Sequence, residues 1–113
     1  MFRPGEIVIA AFPFTSLLAA KRRPCLIVAE CDTRGDFLVA FITSASRNPQ
    51  WRCAVLVKTA HPEWQQTGLK CPSAVRVDKL TTLHVSTLSG AIGVLPNDLI
   101  QAVKATLKMW LGL

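Results

Sequence analysis

Pro24-Cys25-Leu26-Ile27-Val28-Ala29-Glu30, then Cys31-Asp32-Thr33-Arg34-Gly35-Asp36, then Phe37-Leu38-Val39-Ala40-Phe41-Ile42-Thr43 is the stretch from which the fold is read. Two apolar runs flank a segment whose Asp, Thr and Gly supply turn chemistry. The pattern predicts a hairpin with strands over 24–30 and 37–43. Upstream, Glu6-Ile7-Val8-Ile9-Ala10-Ala11 follows Pro4-Gly5 and reads as a first strand. Phe12-Pro13-Phe14 ends it, because proline cannot donate to a sheet ladder. Residues 15–22 then form a loop. It is apolar at Leu17-Leu18-Ala19-Ala20, which suits either an interface or packing onto the body of the protein.

Downstream, Trp51 to Val57 reads as a fourth strand with Trp51, Cys53, Val55 and Val57 on one face. Residues 58–68 are a long polar connection. Ser73 to Lys79 is a fifth strand. The Ser/Thr-rich stretch 82–90 suggests one helical turn, and Ala91-Ile92-Gly93-Val94-Leu95 a weak last strand. The chain then turns helical. Pro96 or Asn97 can start the helix, Asp98 favours its dipole, and Gly112 can stop it. Leu99, Ile100, Val103, Leu107 and Trp110 fall at helical spacing on one apolar face. The elements predict a mainly β protein: a small, partly closed barrel with a C-terminal helix, in a single domain over 1–113.

Composition narrows the partners. Thirteen Lys/Arg stand against 7 Asp/Glu, a formal charge of +6, which favours an anionic partner. Half the residues are hydrophobic, which argues against disorder. No apolar run is long enough to span a bilayer, and the N-terminus lacks the apolar core of a signal peptide, so no membrane is expected and the cytoplasm is. Cys25, Cys31, Cys53 and Cys71 form no C-x-x-C pair and have no histidine at metal spacing, so they read as reduced structural thiols. No metal or cofactor is expected.

Two basic motifs interrupt the apolar pattern: Lys21-Arg22-Arg23-Pro24, and Arg76-Val77-Asp78-Lys79-Leu80-Thr81-Thr82-Leu83. Strand alternation puts Arg76 and Asp78 on one face. A cation and a carboxylate so placed build either a salt bridge or a site.

Taken in order, Arg3-Pro4-Gly5-Glu6-Ile7-Val8, Phe12-Pro13-Phe14-Thr15, Lys21 to Val28, Phe41-Ile42-Thr43-Ser44 and Ser73 to Leu83 resemble the MazF/PemK family of toxins. The resemblance runs on through Ile92-Gly93-Val94-Leu95 and the terminal helix. It implies an SH3-like barrel that forms homodimers and cuts single-stranded RNA without a metal, leaving a 2′,3′-cyclic phosphate and a 5′-hydroxyl. It also implies a cognate acidic antitoxin. The positions it marks as catalytic are Arg23, Thr43, Arg76 and Asp78, with Asp78 either a base or a holder of Arg76. RNA contact falls to Phe14, Lys21, Arg22, Ser44, Arg47 and Lys79. A guanidinium suits such chemistry, being permanently charged and matched to two phosphate oxygens. His61 and His84 lie outside these motifs. The 16–21 loop lacks the glycines, and the histidine some relatives carry there, which keeps open an inactive barrel that only binds antitoxin or nucleic acid. Met109-Trp110-Leu111-Gly112-Leu113 faintly echoes the ending of the CcdB gyrase poisons, a minor alternative.

Overall fold

The computed structural model describes residues 1–12, 21–45 and 51–113, the side chains of Phe12 and Lys21 excepted. Six strands, β1 (Glu6–Phe12), β2 (Lys21–Glu30), β3 (Asp36–Ser44), β4 (Ala54–Val57), β5 (Ser73–His84) and β6 (Leu88–Val94), precede one helix, α1 (Asn97–Leu111). Short 3-10 turns occupy Trp64–Thr67 and Val85–Thr87. The strands form one antiparallel, partly open sheet in the order β4-β5-β3-β2-β1-β6.

Alternation along the strands sorts the apolar residues onto two faces. Ile7, Leu26, Ala40, Ile42, Val75 and Val77 go to one face, where Leu95 and Val103 of the C-terminal segment cover them. Val8, Ala10, Cys25, Ile27, Phe37 and Val39 go to the other, with Phe2, Phe41 and Leu88 packed alongside. Each aliphatic side chain fully buried this way contributes about 1.5–3 kcal/mol. Helix α1 starts after Pro96 and stops at Gly112, whose φ of 70° is the left-handed conformation glycine adopts freely.

Several boundaries differ from expectation. β2 begins at Lys21, so the basic motif is strand and not loop. It pairs with β1 from Lys21↔Phe12 to Leu26↔Ile7, but with β3 only from Cys25↔Phe41 onward. Pro24 therefore sits where β2 parts from β3, a one-sided edge that needs no further donor. β5 is long: Ser73–Val75 and Arg76 pair with both β4 and β3, and Leu80–His84 with the start of β3. An irregularity between Ala40 and Phe41 leaves residues 77–79 bulged, and brings Phe41 opposite Arg76. The stretch 82–90 is strand on both sides of the short turn 85–87. β4 begins at Ala54, so Trp51 stands outside the strand predicted for it. On α1, Val103 is buried and Leu99, Ile100 and Leu107 pack on the core, whereas Trp110 is 54% exposed. The predicted apolar face thus ends before the last turn. The apolar loop 17–20 lies outside the described residues.

Gly93 explains how the first 3-10 turn docks on β6. A β-carbon there would run into the backbone of Gln66 and Thr67. Gly68, at φ 70°, meets the Ile92 carbonyl in the same way. Only glycines allow the two backbones to approach so closely.

Candidate functional site

The parting of β2 and β3 opens a cleft of about 510 Å³. Arg23 and Pro24 line it from β2, and Thr43 and Ser44 from the end of β3. Lys70 and Cys71 close it from the segment before β5, with Ile9 and Ile92 at its apolar end. No carboxylate stands among its described lining residues; it offers a guanidinium, an ammonium, hydroxyls and a thiol. Arg23 lies over the Phe41 ring, 5.4 Å from its centroid, and forms no ion pair among the described residues. Cys71 donates a weak sulfur hydrogen bond of 3.7 Å to Ser44 Oγ.

Arg76 behaves differently. Its Nε donates to Asp78 Oδ1 at 2.9 Å and its Nη2 to Asp78 Oδ2 at 2.7 Å, a fork-to-fork pair. Both side chains are largely buried, at 16% and 20% exposure. The Arg76 hydrogen bonds hold the Asp78 carboxyl below the usual carboxylate range, with the Cys53 thiol adding to the effect. The same pair raises the Arg76 guanidinium above its ordinary value. Burial, then Asp78, pushes the Cys53 thiol up. The Trp51 ring lies against the guanidinium, 4.2 Å from centroid to Cζ.

The expected catalytic residues therefore fall into two groups on one sheet face. Arg23 and Thr43 share the cleft; Arg76 and Asp78 form the pair. Phe41 lies between, touching Arg23 and standing opposite Arg76 in the β3–β5 ladder. Of the expected RNA contacts, Ser44 lines the cleft. Arg22 is exposed, one residue from Arg23 and so on the opposite face of β2, and Lys79 is exposed in the bulge of β5. Neither lines the cleft. Phe14 and Arg47 lie outside the described residues, as does the side chain of Lys21.

Sequence reading missed Lys70, Cys71, Phe41 and Trp51. Lys70 and Cys71 sit in a turn with no periodicity to place them. Phe41 and Trp51 lie in runs read as strand, which marks neither as the neighbour of a particular cation.

The histidines lie elsewhere. His84 accepts from the Ser86 backbone N–H at 3.2 Å and caps the second 3-10 turn. His61 Nδ1 accepts the Glu63 backbone N–H at 3.0 Å, so Nε2 carries the proton and donates to Asp98 at 2.9 Å. His61, Glu63 and Asp98 converge closely enough to suggest a cation site. The hydrogen bond into Nδ1 opposes it, since a metal on Nε2 would require a proton on Nδ1. The site also sits at the positive end of α1, where a cation is disfavoured. No described helix is long and apolar enough to cross a membrane.

Solved structures of similar architecture include MazF proteins and endoribonucleases. The Mycobacterium tuberculosis toxin MazF-mt6 is 27% identical, with a TM-score of 0.72 over 96% of this chain and 97% of its own. MazF of Deinococcus radiodurans is 23% identical, with a TM-score of 0.72 over 97% and 96%. A mycobacterial endoribonuclease solved with its cognate antitoxin is 17% identical and shares the fold, with a TM-score of 0.73 over 97% and 94%. No curated protein sequence matches significantly. The model of the PemK-like, MazF-like toxins of type II toxin–antitoxin systems matches residues 3–111. With nearly the whole chain matched and the sheet, the cleft and the terminal helix in place, this protein belongs to the PemK/MazF toxin family.

Proposed function

We propose that this toxin is a sequence-specific endoribonuclease that cuts single-stranded mRNA by transesterification, without a metal. One observation carries the reading: Arg23 and Thr43 share a cleft with Lys70 and no described carboxylate, a site suited to a phosphodiester. The RNA 2′-oxygen attacks the adjacent phosphorus as its proton leaves. The P–O5′ bond then breaks and the 5′-oxygen takes up a proton. The products carry a 2′,3′-cyclic phosphate and a 5′-hydroxyl. Arg23 stabilises the charge that builds on the phosphorane, and the Thr43 hydroxyl supports an equatorial oxygen. Of the roles open to Asp78, the geometry favours holding Arg76, because a carboxyl held below its usual range is a weak base.

The working form is a homodimer in the cytoplasm, held inactive by an acidic antitoxin. The net charge of +6 and the exposed Met109, Trp110 and Leu111 support such partners. MazF of Deinococcus radiodurans, 20% identical to this chain, has been solved together with MazE.

The test is incubation with a long RNA in excess chelator, followed by end analysis. Fragments ending in cyclic phosphate are expected, and a substrate lacking the 2′-hydroxyl at the scissile nucleotide stays whole. Loss of cutting on chelation, or cleavage of the deoxy substrate, would replace this mechanism with metal-assisted hydrolysis.

A further inference from the structure

Trp51 stands just before β4, 38% exposed, with its ring on the Arg76 guanidinium at 4.2 Å. A guanidinium is a flat plate with edges that donate and faces that stack. Asp78 takes the edge formed by Nε and Nη2. Trp51 takes a face. The two contacts restrain different motions. The carboxylate fixes where the edge lies, but leaves the plate able to tilt about the line joining the two groups. An aromatic ring on the face stops that tilt. Nη1 has no hydrogen-bond partner among the described residues and is not a buried unsatisfied atom. The arrangement is that of a clamped donor with one edge held in reserve.

We propose that Trp51 is a positioning residue, setting the plane of Arg76 so that its Nη1 edge meets the phosphodiester of a bound RNA. The inference rests on the RNA-cleavage reading above, and adds to it a residue that acts through Arg76 without touching the reacting atoms. Stacking strength follows from the ring, so phenylalanine keeps much of it and leucine, which fills space alone, does not.

The experiment compares Trp51→Ala, Trp51→Phe and Trp51→Leu by steady-state cleavage of a short RNA, and by the NMR resonance of the Arg76 Nε–H. In the wild type that proton is expected to be shifted by the Trp51 ring current and protected from exchange by its bond to Asp78. Trp51→Ala and Trp51→Leu are expected to lower kcat about tenfold or more, with KM little changed, because misplacing a charged group costs rate before it costs binding. Trp51→Phe restores most of kcat, and the Nε–H signature follows kcat through the series. In an Arg76→Ala background the Trp51 substitutions cost nothing further. A rise in KM at constant kcat would overturn the proposal, showing that the ring stacks on an RNA base instead. Full activity in Trp51→Leu would also overturn it. Should Trp51→Ala fail to fold, the Phe and Leu variants decide alone. Should the wild type leave RNA uncut, the RNA-cleavage reading fails separately. Exchange protection of the Nε–H then judges the clamp: protection kept in Trp51→Leu overturns the proposal, and its loss supports it.

Discussion

Arg23 and Arg76 occupy the same sheet face, separated by Phe41, yet their charges are handled in opposite ways. Arg23 has an aromatic ring beside it and no carboxylate among the described residues. Arg76 is neutralised by Asp78 and capped by Trp51. An unpaired cation keeps its charge for a ligand, and its removal leaves nothing stranded. A paired, largely buried cation gives direction, and its partner's removal leaves an unmet charge. The strands explain the difference. β2 leaves β3 at Pro24, so Arg23 opens into the cleft, while β5 is paired on both sides at Arg76.

The sharpest way to break this contrast is Arg23→Ala. Cleavage is expected to fall 10²–10³-fold or more, about 3–4 kcal/mol of lost transition-state stabilisation, with the melting temperature almost unchanged. A variant that cuts at the wild-type rate would remove Arg23 from the site. Next comes Gly93→Ala, which forces the first 3-10 turn off β6 and with it Gly68, on the cleft wall. A loss of about 3 kcal/mol is expected in urea unfolding. The Arg76 Nε–H signal should survive in the folded fraction, since the clamp lies on other strands.

Asp78→Ala attacks the other side. It strands a guanidinium only 16% exposed, and about 2 kcal/mol of stability should go. The pH dependence follows from sign. Asp78 is held below its ordinary value when folded, so its stabilising effect is complete above about pH 4. It is lost as pH falls through the lower folded value. The melting-temperature gap between wild type and Asp78→Asn should therefore narrow below about pH 4; a gap that widens on acidification would contradict the pairing. The smallest effect belongs to Asp98→Asn. Asp98 is exposed and its pair with His61 lies outside the cleft, so thermal melting should barely move and cleavage not at all.

Much of this contrast was legible in the residues, and the reason is local. The hairpin 24–43 announces itself through its turn, and α1 through its spacing and its closing glycine. Arg76 and Asp78 share a face because strands alternate. What escaped depends on pairing between distant segments. That β2 extends back to Lys21 follows from its ladder with β1, which offsets the proline. The full length of β5 depends on β3, which holds Leu80–His84 in strand despite their Ser/Thr-rich surroundings. Trp51 reads as a strand residue, and only the β4–β5 pairing, which sets Ala54 opposite Arg76, reveals the cation it covers. Lys70 and Cys71 reach the cleft through a turn that no periodicity describes.

The sheet's order carries a consequence for synthesis. β1 is the first strand made, yet one of its two neighbours is β6, the last. Glu6 pairs with Val94, and the cleft takes Ile9 and Ile92 from those same strands. At about 5–20 residues per second, β1 waits several seconds on the ribosome with one edge unpaired. Until β6 emerges the cleft lacks the wall that Ile92 supplies, and on the RNA-cleavage reading proposed above the growing chain should leave its own messenger intact. Chains stalled before Leu88 should accordingly leave RNA intact even at concentrations where the full chain cuts. Synthesis thus has a built-in delay, during which an antitoxin partner can be waiting.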